Sequence, residues 1–112
     1  MTVLDEIAAE RQRQIKVEGW TSDHDDGHQN GEIGIAAACY ARIGSEQPDY
    51  MRRELAKEHW GPRYSSLRRI WPWDWRWFKP TNRRRDLIKA GALIVAEIER
   101  LDRANPNREA AE

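Results

Sequence analysis

The sequence predicts one small all-α domain. It has three to four helices, a central C-terminal helix and irregular loops rich in tryptophan. Three observations predict it. Apolar residues recur at helical spacing, most clearly over 82–104. The alternating tryptophan run 71–80 carries Pro72 and Pro80, which disfavour an internal strand. The chain has 112 residues, of which 39% are hydrophobic and 34% charged, so it can build one modest core and not two.

The first helix opens at Thr2, an N-cap, with Asp5 three residues on as in a capping box. Leu4, Ile7, Ala8, Arg11 and Ile15 share its predicted inner face, and Gly19 stops it. Residues 19–28, Gly-Trp-Thr-Ser-Asp-His-Asp-Asp-Gly-His, have no period and read as a loop dense in binding groups. A second helix spans about 31–43, with Ile33, Ala36, Ala37 and Tyr40 on one face and Gly44 at its end. A linker with Pro48 follows. Asp49 is a cap for a third helix over 50–60, which Gly61-Pro62 ends. Residues 63–70 offer one more short turn.

Residues 71–80 hold four of the six tryptophans and read as an irregular loop, or a single helical turn capped by Asp74. The last helix spans 82–104. Leu87, Gly91, Ile94, Ile98 and Leu101 repeat at three-to-four spacing, and the stretch 87–96 is apolar nearly all round, which predicts a central position. Gly91 inside it predicts close packing. The domain is 1–104, and 105–112 reads as a flexible tail after Asn105-Pro106.

Composition excludes several function classes. No apolar run approaches the ~18 residues of a membrane helix. The N-terminus lacks a signal core, and the single Cys39 rules out a disulfide framework or a cysteine zinc site, so a reducing cytoplasm is expected. Charge sums to zero but is segregated. Residues 52–85 carry eleven bases against three acids, and the rest of the chain is correspondingly acidic. Such a block suits an anionic partner or an acidic surface, or pairs internally. Duplex DNA is not expected, because the remainder would repel phosphate.

Three constellations could carry chemistry. His24-Asp25-Asp26-Gly27-His28 could hold a divalent ion, but the spacing matches no closed structural site; the reading kept is that Asp25 or Asp26 caps the second helix and His28 bonds nearby backbone, with no metal. The tryptophan loop, flanked by Lys79 and Arg83 to Arg85, could stack a planar ring beside a phosphate; the competing reading is core and interface. Asp86 and Lys89 lie on one side of the last helix among apolar neighbours, so each needs a partner: an Asp86–arginine bridge, or a Lys89–carboxylate bridge to the Asp25–Asp26 loop. No activated nucleophile and no phosphate loop is evident, so catalysis is not the leading expectation. Glu99-Arg100-Leu101-Asp102 fits one of the two acidic patterns of MazG-type nucleoside triphosphate pyrophosphohydrolases. The other appears only as Glu109 and Glu112 in the tail, Glu54 and Glu58 being spaced one residue too far.

Glu18-Gly19-Trp20-Thr21, preceded by Glu10, Arg11 and Ile15 and followed by Asp25-Asp26, resembles the opening of ryanodine-receptor-type (RyR) repeat domains. The helix entered through Arg85-Asp86 resembles their closing helix. The fuller pattern, over 6–44 and 71–103, is similar to small phage and prophage proteins. The resemblance implies a binding domain without its own catalysis or cofactor. It would be a phage-encoded counter-defence sponge that sequesters a nucleotide-derived immune signal of the cyclic nucleotide or cyclic ADP-ribose type. In that reading Trp20, Thr21, Asp25, Asp26, His28, Trp71, Trp73, Asp74, Lys79, Arg85, Asp86 and Lys89 line the ligand site, with loops 19–28 and 71–80 converging over the start of the last helix. Trp20 and Trp73 would then pack against Asp86 and Lys89. A homo-oligomer is expected from the surplus of apolar surface. The alternatives are a magnesium-dependent pyrophosphohydrolase, and an inhibitor that blocks a host defence protein through the basic segment 52–85.

Overall fold

The computed structural model describes residues 1–46, 48–57, 60–61 and 64–106. They form six helices and no strand: α1 (Val3–Lys16), α2 (Ser22–Asp26), α3 (Glu32–Gly44), α4 (Asp49–Lys57), α5 (Ser65–Ile70) and α6 (Arg83–Ala104), with a 3-10 turn at Trp75–Trp77 before α6. The all-α class is as the sequence predicts, with more helices than three or four. The extra ones are short. α2 has five residues, too few to show a period, and its start is set by the Thr21 side chain accepting from the His24 N–H. Pro62, Glu58 and the tail acids Glu109 and Glu112 lie outside the described residues.

The helix starts follow local chemistry. Thr2 and Asp5 form the reciprocal capping box, with side chain and backbone exchanged at 2.9 and 3.1 Å. Asn82 caps α6 by accepting from the Arg85 N–H, and Asp74 caps the 3-10 turn through the Arg76 N–H. α3 starts instead at Gly31, which has φ of 82° and no side-chain cap; neither Asp25 nor Asp26 serves it. Asp49 heads α4 but accepts from the Arg83 N–H across the fold.

The core is the seam between α3 and α6. Ile33, Ala36, Ala37, Cys39, Tyr40 and Ile43 meet Ala90, Leu93 and Ala96, and Leu67 of α5 closes one side. Small residues let the two axes approach: a Cβ on Gly44 would stand 3.0 Å from the Leu87 side chain. Trp60, Tyr64, Trp71 and Phe78 cap the seam as an aromatic plug. α6 is central, touching α1, α2 and α3.

Two predicted inner faces turn out differently. On α1, Leu4 is 77% exposed, while the buried residues are Glu10, Arg11 and Gln14. On α6, Leu87, Ile94, Ile98 and Leu101 are each about half exposed, and the buried set is Asp86, Ile88, Ala90, Ala92, Leu93, Ala96 and Arg100. The cause is that α1 docks on α6 through the ion pairs Glu6–Arg84, Glu10–Arg85 and Arg11–Glu99, and of the predicted face Arg11 is buried and Ile7 packs on α6 while Leu4 does not. Gly91 is packed closely as predicted, since a Cβ there would lie 3.0 Å from Ile7.

Candidate functional site

The loop between α1 and α2 is held from beneath by Arg11. Its guanidinium donates to Asp25 at 3.0 Å, to the Trp20 carbonyl at 3.2 Å and to Glu99 at 3.1 Å, with Arg11 and Asp25 both buried. One side chain thus ties α1, the Trp20 backbone, α2 and α6 together. The Trp20 N–H donates to the Gln14 carbonyl, which fixes the ring at the exit of α1. With Trp20 placed, α2 projects His24 beside it, and His28 follows just past the Gly27 cap of that helix. Trp20 stacks near-parallel with His24 at 6.1 Å, and His24 meets His28 edge-on at 4.7 Å.

The tryptophan loop supplies the opposite wall. The Trp71 indole N–H donates to the Asp74 carbonyl, and the Phe78 N–H to the Trp75 carbonyl, which curls the segment into its turn. Trp71 and Phe78 are thereby buried, Trp73 and Trp75 half-buried, and Trp77 is 59% exposed. Trp73 reaches Trp20 at 6.2 Å and His28 at 5.3 Å. Loops 19–28 and 71–80 therefore do converge.

They enclose an open cleft of about 440 Å³ lined by Glu18, Trp20, His24, His28, Trp73, Asp74, Trp77 and Lys79. The Lys79 ammonium lies over the Trp77 ring at 5.5 Å. Its backbone is pinned on both sides: the Lys79 N–H donates to the Tyr40 hydroxyl at 3.0 Å, and its carbonyl accepts from the Lys89 ammonium at 2.8 Å. Burial brings the Lys89 ammonium down to about 8 and pushes the Tyr40 phenol up to about 12, so near neutral pH Lys89 donates as an ammonium and Tyr40 accepts as a neutral hydroxyl. Each imidazole turns Nδ1 toward a carboxylate, His24 to Asp25 and His28 to Glu32, both at 3.1 Å. That arrangement orients the rings and leaves Nε2 as the second ring nitrogen. The Asp74 carboxyl is held below its ordinary range by the Arg76 N–H and stays a carboxylate at the cleft edge.

Of the residues proposed from sequence, Trp20, His28, Trp73, Asp74 and Lys79 line this cleft. The others have different places. Thr21 caps α2. Asp25 is held by Arg11, and Asp26 bonds Arg103 on the outer side of α6. Trp71 is core, and Arg85 bonds Glu10. Asp86 is fully buried and pairs with an arginine as expected, Arg52 of α4, and also accepts from the Thr81 N–H at 2.9 Å; Lys89 donates to the Lys79 carbonyl and does not bridge to the 25–26 loop. Trp20 and Trp73 accordingly pack on histidines and not on Asp86 and Lys89. His28 bonds a side chain, Glu32, rather than backbone.

His24, Trp77 and Glu18 line the cleft but are absent from the ligand site proposed from sequence, where His24 enters only within the acid–histidine cluster for a divalent ion. The spacing of four between His24 and the proposed His28 is the signal that could have added His24, although His28 itself lies past the Gly27 cap of α2. Much of the basic block is answered internally, through Arg52–Asp86, Arg84–Glu6, Arg85–Glu10 and Arg76–Asp74. Glu99, half of the acidic pattern, bonds Arg11; among the described residues no three His, Cys, Asp or Glu side chains gather as a metal site. A second hollow of about 630 Å³ lies along Trp60, Trp75 and Pro80, but Trp75 is stacked on Phe78 at 4.6 Å and has Arg68 over its ring. Among the described residues no helix is long and apolar enough to cross a membrane.

The chain matches no family model, no curated protein and no solved structure.

Proposed function

We propose that the chain binds a nucleotide-derived ligand in the Trp20–Trp73–Lys79 cleft and holds it unaltered. The observation that carries this reading is the half-exposed Trp77 with the Lys79 ammonium across it, opposite the tilted pair Trp20 and Trp73. A base stacks on an indole face at ~1–3 kcal/mol, and an ammonium at the same place meets the phosphate of that nucleotide. Glu18 and Asp74 supply acceptors for ribose hydroxyls or exocyclic amines. A cleft of about 440 Å³ is within the size range of small-molecule sites.

Binding fits the geometry better than acid–base turnover. The two imidazoles touch each other at 4.7 Å, so no phosphoryl group fits between them for attack from one side and protonation from the other. The sequence resemblance to RyR-type and phage proteins gives the biological form of the reading: a counter-defence sponge for a cyclic nucleotide or cyclic ADP-ribose type signal.

The test is to incubate the full chain with a panel of cyclic and linear nucleotides, remove free ligand, release what is retained by heat, and identify it chromatographically. Retention of one intact ligand near one per chain supports the reading, and Trp73→Ala and Lys79→Met each abolish it. Chelator-sensitive new products make the chain a pyrophosphohydrolase instead. Retention of nothing overturns the reading and leaves a protein-blocking role in front.

A further inference from the structure

The second hollow collects the positive charge that the basic block does not spend inside the chain. Within 52–85, Arg52 pairs with Asp86, Arg84 with Glu6 and Arg85 with Glu10, and Arg83 donates to the Gly44 carbonyl. Among the described residues the Arg68 and Lys79 side chains form no ion pair; each lies over an indole, Trp75 and Trp77 respectively. Both line the hollow of about 630 Å³, and Arg76 and Asp74 line it with them. Arg76 turns one nitrogen to Asp74 at 3.2 Å and is otherwise open to solvent, its side chain 81% exposed. Three cations thus stand around one carboxylate. Phe78 and Pro80 add apolar wall, which keeps water from one side of these charges and strengthens their pull on an anion.

We infer that this hollow is an anion subsite, and that the ligand of the chain carries a diphosphate or a longer phosphoanhydride chain. Guanidinium forks match phosphate oxygens in two-pronged geometry, and Arg68 and Arg76 supply two of them. A second ring is not what the hollow takes. Trp75 is stacked on Phe78 at 4.6 Å with Arg68 on its ring, and Trp60 is only 5% exposed, so neither indole offers a face. Asp74 and Lys79 line both the hollow and the Trp20–Trp73 cleft, so the two openings meet at that ridge. A phosphate next to a ring held in the cleft falls at Lys79, and the next phosphate continues toward Arg68 and Arg76. The anion subsite stands on its own charges; only its connection to a ring rests on the reading of the cleft given above.

Inorganic pyrophosphate, titrated into the full chain at fixed ionic strength and followed by tryptophan fluorescence, tests the subsite without any ring. Saturation near one per chain is expected, with inorganic phosphate at least tenfold weaker. Arg68→Gln and Arg76→Gln each weaken pyrophosphate at least fivefold with helical content unchanged. Arg69→Gln, at an exposed arginine outside the hollow, leaves it as in the wild type. No saturation, equal affinity for phosphate, or a loss in Arg69→Gln as large as in Arg68→Gln overturns the subsite. Each common ribonucleoside is then compared with its mono- and diphosphate. One diphosphate that binds tighter than both its monophosphate and pyrophosphate, with the gap over the monophosphate narrowed by Arg68→Gln, joins the subsite to the cleft. Pyrophosphate binding with no gain from any nucleoside upholds the subsite and overturns the ring in the cleft. A monophosphate that binds as tightly as its diphosphate overturns the present inference and leaves the cleft reading standing.

Discussion

α6 is gripped on two sides by different physics. Against α3 the contact is apolar and tight, with alanines 36, 37, 90 and 96 buried in the seam beside Ile43 and Leu93. Against α1 and α2 it is ionic: Glu6–Arg84, Glu10–Arg85, Arg11–Glu99 and Asp26–Arg103. The apolar side supplies non-directional free energy in proportion to area. The ionic side supplies little net stability but fixes where each residue lands, because a displaced partner strands a charge. The cleft is built on that second side. Trp20 sits where it does because Arg11 is already committed to Asp25 and Glu99. The cleft walls therefore depend on the contact that salt and acid weaken, while the core depends on the one they do not.

The strongest test of the contrast is Arg11→Met. It removes bonds to three elements and leaves Asp25 buried beside His24 without its guanidinium. A loss of about 3–5 kcal/mol is expected, read as a fall in denaturant midpoint. Replacing Arg11 and Asp25 together by Met and Leu recovers most of that loss if desolvation of the stranded carboxylate is its cause. Next comes Leu93→Ala, 1% exposed in the apolar seam. It costs about 2–5 kcal/mol through lost burial and the cavity left behind. The two differ in salt response: the Leu93→Ala loss is unchanged in high salt, and tryptophan fluorescence of the cleft survives it in the folded state. An Arg11→Met protein with native cleft fluorescence would contradict the positioning role given to Arg11.

Much of this could be read in advance. The Thr2–Asp5 box, the Asp74 cap, the central position of the last helix and the close packing at Gly91 follow from local rules, and each holds. The meeting of Trp20 with Trp73 also holds, because two aromatic-rich segments flanking one small core have few other places to go. What failed was the assignment of partners. Periodicity says that Leu4, Leu87, Ile94 and Ile98 form faces, but not whether a face is covered within the chain. Buried charges are the second blind spot. Arg11 falls on the predicted inner face of α1 and Asp86 among apolar neighbours, but nothing local marks Glu10 as buried, and long-range pairing decides what each of the three bonds. Asp86 was rightly expected to need a partner, but Arg52, thirty-four residues away, could not be picked from eleven bases in its block.

Acidification separates the two sides of α6 without mutation. Burial raises the Glu10 carboxyl, but Arg13 and Arg85 together outweigh it and leave the group below its ordinary range. A carboxyl depressed in the folded state stabilises fully above its unfolded value, about 4.3, and loses that contribution as pH falls through the folded value. Thermal melts should therefore be flat from pH 7 to about 5 and decline below about 4.3. Glu10→Gln lowers the melting temperature at pH 7 but gives a shallower acid limb. If wild type and Glu10→Gln decline in parallel, Glu10 is not what acid attacks, and the ionic side of α6 is less exposed to protonation than its bonding indicates.

The smallest effect belongs to Glu6→Gln. Glu6 bonds Arg84 at the start of α6, with both groups open to water. The Arg84 hydrogen bond holds the Glu6 carboxyl below its usual range, but an exposed pair is screened and its side chains lose freedom by holding one geometry. The substitution should leave the denaturant midpoint within error at moderate salt, and helix content unchanged. Its use is comparative. The same ion-pair chemistry costs several kilocalories when removed at Arg11 and nothing measurable at Glu6, so the difference isolates burial as the variable. Should Glu6→Gln destabilise as much as Arg11→Met, the pairs would be acting as one network along α1, and the division between a buried, positioning pair and a solvated one would have to be abandoned.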